Sequence, residues 1–402
     1  MKILFISNFL PDTNYTRDLS VYFQKVCKEG DVLYLCGKKN EPVNDGRSPS
    51  VDEVWTRGIF FFVPLIRYVW KKKPDIVHLQ QEFKTYGGIA SAFLFPWFVL
   101  LIRFLGCKVV ITSHTAVSKG QIDRSFLEGF GLKNSFVNRT LVKIFLIYSY
   151  KLIVRFSNRT TVHTNLLKSR LVEEYGCGAH KISVIPHGIR EITDRDVLPK
   201  SPQIYKKFPI LKKKKIILAF GYFSPRKGYE LLLEALGKLF EDPGLKKDWI
   251  MVLAGDVVKE FLPYKKKIEK LIKQKKMSDS ILITGYVDAK DVDELYRLAK
   301  VCVIPAVFSF NTSGVLSVAL AYGRPLLVAD VKPLGQEVKE NNFGLLFDLH
   351  QPDSFRSELK KLISSGSFYE KTKQALRESA SKRYWSRVAK KHYLLYKDVL
   401  SK

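Results

Sequence analysis

At 402 residues, with 46% hydrophobic and 13% aromatic content, the chain carries enough apolar material for two cores of ordinary size, which excludes a disordered polymer. Its formal net charge of +28 calls for anionic partners, whether nucleic acid, a membrane surface or phosphorylated substrates. The five cysteines (27, 36, 107, 177 and 302) show no CxxC or other metal-ligand spacing, so reduced thiols in a cytoplasmic protein are expected.

The opening MKILFIS enters a buried strand over residues 2–7 with no basic leader or cleavage site before it, which reads as no signal peptide. Residues 9–18 form the next loop, where Arg17 is either an anion contact or an exposed cation at a helix start. A second strand covers 31–36. Lys71–Lys73 close a basic helix, and Pro74 leads into a strand over 75–79 whose exit carries His78, Gln80 and Glu82. In a doubly wound sheet, ligands gather beyond the carboxyl ends of strands, so the pattern delivers these three to a functional edge; plain loop polarity is the other reading.

Residues 89–104, IASAFLFPWFVLLIRF, are the most apolar run. The run is short of the ~20 residues a bilayer span needs, contains Pro96 and ends near Arg103. It is either a helix buried between sheet and neighbours, or one resting on lipid headgroups through Phe93, Phe95, Trp97 and Phe98. A strand over 108–112 ends in Ser113–His114–Thr115, where the His is a ligand partner or a structural residue. A helix over 141–156 and strands over 159–163 and 182–185 follow, the last running into Pro186–His187–Gly188.

Residues 192–215 are polar, contain Pro199, Pro202 and Pro209, and mark a domain boundary. The strand-loop-helix theme restarts with a strand over 216–220. Arg226 and Lys227 then stand at a helix start, where the dipole disfavours cations unless an anion lies between. A strand over 249–253 turns at Gly255, one over 281–284 runs into Gly285–Tyr286–Val287, and a short helix spans 291–298. The stretch 299–347 contains a strand (301–305), a polar loop (309–314), a helix (315–322) closed by Gly323, and two more strands (324–328 and 344–347). Ser313–Gly314 open that helix; they are an ordinary N-cap or, with the dipole, a seat for an anion such as a diphosphate. The tail 384–402, with Trp385 and an apolar stripe, is a final helix.

In order and spacing these motifs resemble glycosyltransferase family 4, nucleotide-sugar-dependent retaining enzymes of the GT-B fold. The segments that carry the resemblance are IVHLQQEFKTYGG (76–88), His114, HTN (163–165), VIPHG (184–188), Lys227–Gly228, Gly285–Tyr286–Val287 and Gly323–Arg324–Pro325, so it spans nearly the whole chain. It implies an α/β GT-B architecture: two Rossmann-like domains with parallel sheets facing across a cleft. Residues 1–195 would bind the acceptor and 196–382 the nucleotide sugar, with a helix over 383–402 crossing back to the first domain. The implied reaction moves a hexose-type sugar from a UDP- or GDP-linked donor to a glycan or lipid-phosphate-linked acceptor with retention of configuration.

By the same resemblance His114 contacts the transferred sugar, Arg226 and Lys227 the diphosphate, Gly285, Tyr286 and Val287 the base, and Thr312, Ser313, Gly314 and Val315 complete the donor site. Arg17, Gln80 and Glu82 fall to the acceptor side. The chain departs from the pattern in lacking both family glutamates, replaced by Phe310 and Val318, and looks like a Ser-Gly-Val variant. It also lacks the Gly-Gly pair after the first strand, and Gly221–Ser224 hold no arginine, leaving Arg226 as the nearby substitute. No Asp-X-Asp motif stands at a strand end, so no metal and no cofactor beyond the nucleotide-sugar cosubstrate is expected. The charge fits a peripheral enzyme on the inner face of an anionic membrane; dispersed lysines without a DNA- or RNA-binding motif argue against nucleic acid. The alternative is a non-catalytic GT-B protein that binds a sugar nucleotide or a partner.

Overall fold

Near-continuous apolar runs such as KILFI and WIMVLA suit parallel strands covered on both faces, and both sheets of this protein are built that way. The computed structural model describes residues 1–8, 15–39, 50–82, 85–129, 133–193, 197–198, 200–309 and 314–402. Phe310, Thr312 and Ser313 therefore lie outside the described residues.

The chain divides into two units, Met1–Gly188 with Trp385–Lys402, and Ile189–Tyr384. The expected bounds of 195/196 and 382/383 compare with observed switches at 188/189 and 384/385. The first unit holds β1 (Lys2–Ile6), β2 (Val32–Lys38), β3 (Val51–Trp55), β4 (Ile76–Gln81), β5 (Lys108–Ser113), β6 (Arg159–Val162) and β7 (Ile182–Val184). They form one parallel sheet in the order β3-β2-β1-β4-β5-β6-β7. The second unit holds β8 (Lys215–Phe220), β9 (Trp249–Ala254), β10 (Ile281–Gly285), β11 (Ala299–Ile304), β12 (Leu326–Ala329) and β13 (Gly344–Phe347), ordered β10-β9-β8-β11-β12-β13 and again parallel. Each sheet reverses its strand order once, between β1 and β4 and between β8 and β11. At such switch points two neighbouring loops leave in opposite directions and open a crevice for a ligand.

Period-two alternation splits each strand between two cores. In the first unit Leu4, Ile6, Val77 and Leu79 face helices Phe62–Lys72, Ile89–Phe104 and Phe136–Phe156. Ile3, Phe5 and Ile76 face helices Tyr15–Gln24 and Trp385–Leu400. The chain's last helix thus belongs to the first unit, with Trp385, Val388, Ala389, Tyr396 and Val399 in its core.

Three local expectations change. The helix expected from 141 begins at Phe136, because the Ser135 hydroxyl accepts from the Asn138 amide and caps it there. Helix Tyr15–Gln24 takes over the second half of the loop expected over 9–18, and Arg17 is buried in it, which overturns the exposed-cation reading. The strand expected from 324 begins at Leu326: Arg324 is instead a buried tether, donating from Nε to the Tyr296 carbonyl (3.1 Å) and from its terminal nitrogen to that of Arg297 (2.7 Å). Among the described residues no helix is long and apolar enough to cross a membrane.

Candidate functional site

In the second unit the β8/β11 switch point gathers the cationic motif. β8 ends at Phe220, and Gly221 follows at φ +127°, a conformation that side-chain-bearing residues rarely adopt. The chain then makes a tight turn over Pro225–Lys227, and Gly228, left-handed at φ +63°, starts helix Tyr229–Leu239. The Val307 amide, on the exit from β11, donates to the Arg226 carbonyl at 2.9 Å and ties the two switch-point loops together.

Lys227 folds back over Gly221. A Cβ on Gly221 would stand 2.7 Å from Lys227 Nζ and 3.5 Å from Val315 Cγ2, so the ammonium lies close to the first turn of helix Gly314–Tyr322. No carboxylate among the described residues pairs with Lys227. Burial, reinforced by the Arg226 guanidinium, pulls its pKa down to about 8. A half-buried cation without a counter-charge, beside a helix N-terminus, is short of an anion.

The floor beside it is glycine. Gly221, Gly255 and Gly285, all at positive φ, stand at the carboxyl ends of neighbouring strands β8, β9 and β10. A Cβ on Gly255 would collide with the Gly221 carbonyl at 2.4 Å, while Gly285 has open space above it. Two strand spacings separate Gly221 from Gly285, about 10 Å, the span from a diphosphate to its base in an extended nucleotide. Tyr286, 70% exposed, and half-buried Val287 stand at the far end. Gly314, exposed, and Val315 open the helix at the near end.

Gly221→Ala is expected to push Lys227 off this seat and weaken binding of a diphosphate anion ten- to a hundredfold, the worth of one charge-assisted contact. Titration calorimetry against pyrophosphate checks it, and unchanged affinity would remove Lys227 from the anion seat.

In the first unit the strand exits bring histidines together. His114 follows β5, His163 follows β6 and His187 follows β7, and all three ring the phenol of Tyr15, at centroid distances of 4.9, 5.2 and 5.2 Å. His163 Nδ1 lies 3.1 Å from the Ile185 carbonyl, His163 Nε2 3.0 Å from His114 Nδ1, and Gln80 Oε1 2.7 Å from His114 Nε2. The carbonyl only accepts, so His163 carries its proton on Nδ1 and accepts at Nε2 from His114. Neutral His114 is then left with a lone pair at Nε2, and the Gln80 amide satisfies it by turning its NH2 inward. Burial drives the His114 pKa down to about 3 and holds His163 well below the usual range, with the neighbouring imidazoles adding to both. His114 and His163 are therefore uncharged at neutral pH.

Gln80 is thus buried against His114, where it orients the imidazole. His78, expected at the same edge, is fully buried beneath the last helix: Nδ1 accepts from the Tyr396 hydroxyl at 2.5 Å, and Nε2 donates to Thr112 Oγ1 at 2.7 Å. Glu82 is exposed just past β4, beside a small cavity lined by Tyr86, Phe95 and Ser149. Thr312 and Ser313 lie outside the described residues. Sequence reasoning passed over Tyr15 and His392, whose Nε2 lies 2.9 Å from the Tyr15 hydroxyl. The available signal was a histidine on the buried stripe of the last helix, four residues before Tyr396. Among the described residues no group of three His, Cys, Asp or Glu side chains converges to hold a metal ion.

Each half of the chain matches a glycosyltransferase family model. Residues 14–191 match the model described as Glycosyltransferase Family 4, and residues 200–383 the model described as Glycosyl transferases group 1. An uncharacterized glycosyltransferase of Methanocaldococcus jannaschii is 27% identical over 189 residues, 46% of this chain and 45% of that protein. The D-inositol 3-phosphate glycosyltransferase of Nocardiopsis dassonvillei is 26% identical over 247 residues, 59% of this chain and 54% of that protein. The chain spans about half the length of these curated relatives. The crystal structure of Anabaena HepE in complex with UDP superposes with a TM-score of 0.72 at 14% identity, covering 99% of this chain and 100% of that one. HepE has also been solved with UDP-glucose.

Proposed function

We propose that the chain, whose two halves match glycosyltransferase models and whose fold is that of the GT-B enzymes, moves a hexose-type sugar from a UDP- or GDP-linked donor to a glycan or lipid-phosphate-linked acceptor with retention of configuration. The observation that carries this reading is Lys227, a cation without a carboxylate partner, held over glycine at the β8/β11 switch point. The donor diphosphate supplies the missing anion, neutralised by Lys227, Arg226 and the amides of Gly314 and Val315. Tyr286 and Val287 take the base at the other end of the glycine floor. That HepE, a protein of the same fold, has been solved in complex with UDP supports a nucleotide-linked donor.

During transfer the bond from C1 to the diphosphate oxygen breaks and the acceptor oxygen bonds to C1 on the same face. The acceptor proton leaves on the departing diphosphate. Charge develops on that leaving group, so the cations act most strongly in the transition state. His114 is too weak a base to be charged, so it serves as a fixed hydrogen-bond acceptor: a sugar hydroxyl takes the place of the Gln80 amide at Nε2. Arg17 and Glu82 remain on the acceptor side of this reading, Thr312 and Ser313 on the donor side. The enzyme would act in the cytoplasm, on the inner face of the membrane, without a metal.

Thermal stabilisation of the purified chain by UDP, GDP, ADP and their sugars tests the donor. A selective shift is expected with one nucleotide, and no shift with any of them in a folded protein would overturn the proposal. His114→Ala should keep that shift and lower transfer about a hundredfold, the scale of one lost transition-state contact. A second reading, binding without transfer, is favoured by Val318: it stands where the family glutamate would grip the donor ribose, and packs instead against the core of the second unit. A nucleotide shift with neither transfer nor donor hydrolysis would select it.

A further inference from the structure

One face of the first unit is unlike the rest of the molecule. Helices Phe62–Lys72, Ile89–Phe104 and Phe136–Phe156 form the layer over that side of the sheet. Together they contain eight Lys and Arg and no Asp or Glu. The two helices on the opposite side each include an aspartate, Asp18 and Asp398.

The acid-free layer also presents large apolar side chains to solvent. Helix Ile89–Phe104 buries Phe95, Phe98, Val99 and Ile102 and turns out Ile89, Phe93, Trp97, Leu101 and Phe104 at three- and four-residue spacing, one continuous stripe. Phe104 is 77% exposed. Phe93 stacks on Tyr148 of helix Phe136–Phe156 at 4.6 Å, and Trp97 Nε1 donates to the Tyr148 hydroxyl at 2.6 Å, so the stripe runs along the seam between the two helices. Across the seam Phe136, 84% exposed, Val137, Leu141 and Ile144 widen it. Exposed Arg103, Arg139 and Lys143 stand among them.

We propose that this three-helix layer is the surface by which the chain docks on an anionic lipid bilayer. The charge decides the occupant: an apolar stripe carried on helices that hold cations and no carboxylate, with Asp52 and Glu82 packed at their edges, fits headgroups that are negative above and hydrocarbon below. Nucleic acid would meet the cations but not the exposed Phe, Trp and Leu. A second copy of the face would set cation against cation. Trp97, with an indole N–H directed to a hydroxyl and an apolar body, suits the boundary between headgroup and acyl chain. The inference rests on the reading of a lipid-borne acceptor for its purpose; its test reads lipid binding and needs no transfer.

The full chain is sedimented with vesicles of phosphatidylcholine alone and with vesicles carrying about a third phosphatidylglycerol, at low and high salt. Binding to the anionic vesicles, weakened by salt, is expected. Leu101→Ser with Phe104→Ser keeps every charge and should weaken that binding at least about tenfold, since about 0.8 kcal/mol is lost per methylene withdrawn. Arg103→Gln with Lys143→Gln should weaken it by about 25-fold at low salt, fivefold per cation. Both variants alter exposed residues and should keep the thermal midpoint and the nucleotide shift. If the folded wild type ignores anionic vesicles, or if the Leu101/Phe104 variant binds them as tightly as wild type, the proposal is wrong. Self-association abolished by the same substitutions, without lipid binding, would overturn it in favour of a second copy.

Discussion

Lys227→Met is expected to abolish the nucleotide-induced thermal shift and lower transfer by about 10²–10³-fold, the cost of removing a preorganised group that stabilises a leaving anion. The pH dependence in the wild type makes a sharper test. In the free protein burial and Arg226 hold the Lys227 pKa at about 8, below the ordinary 10.5. The ammonium therefore predominates below pH 8, and a bound diphosphate raises its pKa. Donor affinity should be flat below about pH 7 and fall about tenfold per unit above pH 8 until the pKa of the complex is reached. The stability of the unliganded protein runs the other way: between about 8 and 10.5 the unfolded chain holds the proton that the folded chain has lost, so stability rises with pH across that window. Lys227→Arg keeps its charge throughout and should flatten the affinity profile. A wild-type profile without a break near pH 8 would show that Lys227 does not meet the donor.

Trp385→Ala is expected to destabilise the first unit by about 3–5 kcal/mol, the usual cost of truncating a fully buried aromatic. Trp385 is 1% exposed and packs 5.1 Å from Tyr15 and 5.8 Å from His187. A Cβ on Gly188 would come within 2.2 Å of the indole, so the tryptophan fills space that only glycine leaves. Its removal opens a void beside the histidine cluster and loosens the last helix. The melting midpoint of the first unit should fall by roughly 10 °C. Since Lys227 and the glycine floor belong to the second unit, nucleotide binding below the lowered midpoint should survive. Trp385→Phe should recover most of the loss, and an unchanged midpoint in Trp385→Ala would mean the helix adds little to the core. Because Tyr15 touches both Trp385 and His114, transfer should suffer more than binding.

Much of this was legible in order along the chain. Unbroken apolar runs such as 108–112 and 249–253 announced parallel strands because such strands are covered on both faces, and the residues just past them were readable as the functional edge for the same topological reason. Arg226 and Lys227 stood out as cations where a helix dipole repels them. His114 was legible as a strand-exit histidine. Its partners were not: the hydrogen bond from His114 to His163 joins residues 49 apart, and that between Tyr15 and His392 joins residues 377 apart. Nothing local encodes them.

The sequence by itself determined two α/β domains, their strands and the positions of the anion-seeking and strand-exit groups, since these depend on period, propensity and charge over a few residues. Only the tertiary structure decided which groups are free to act. His78 and His114 have the same chemistry, one on β4 and the other just past the end of the neighbouring β5, yet the last helix covers the first and leaves the second at the edge. Arg324 and Lys227 are both cations beside glycine, but two carbonyls of a neighbouring segment tether the arginine while Lys227 is left without a counter-charge. Helix 89–104 is apolar on every side, so its period could not say which face is buried; packing against the sheet chose one and left the other to solvent. Burial and pairing are properties of distance in space, which the order of residues constrains only through the fold.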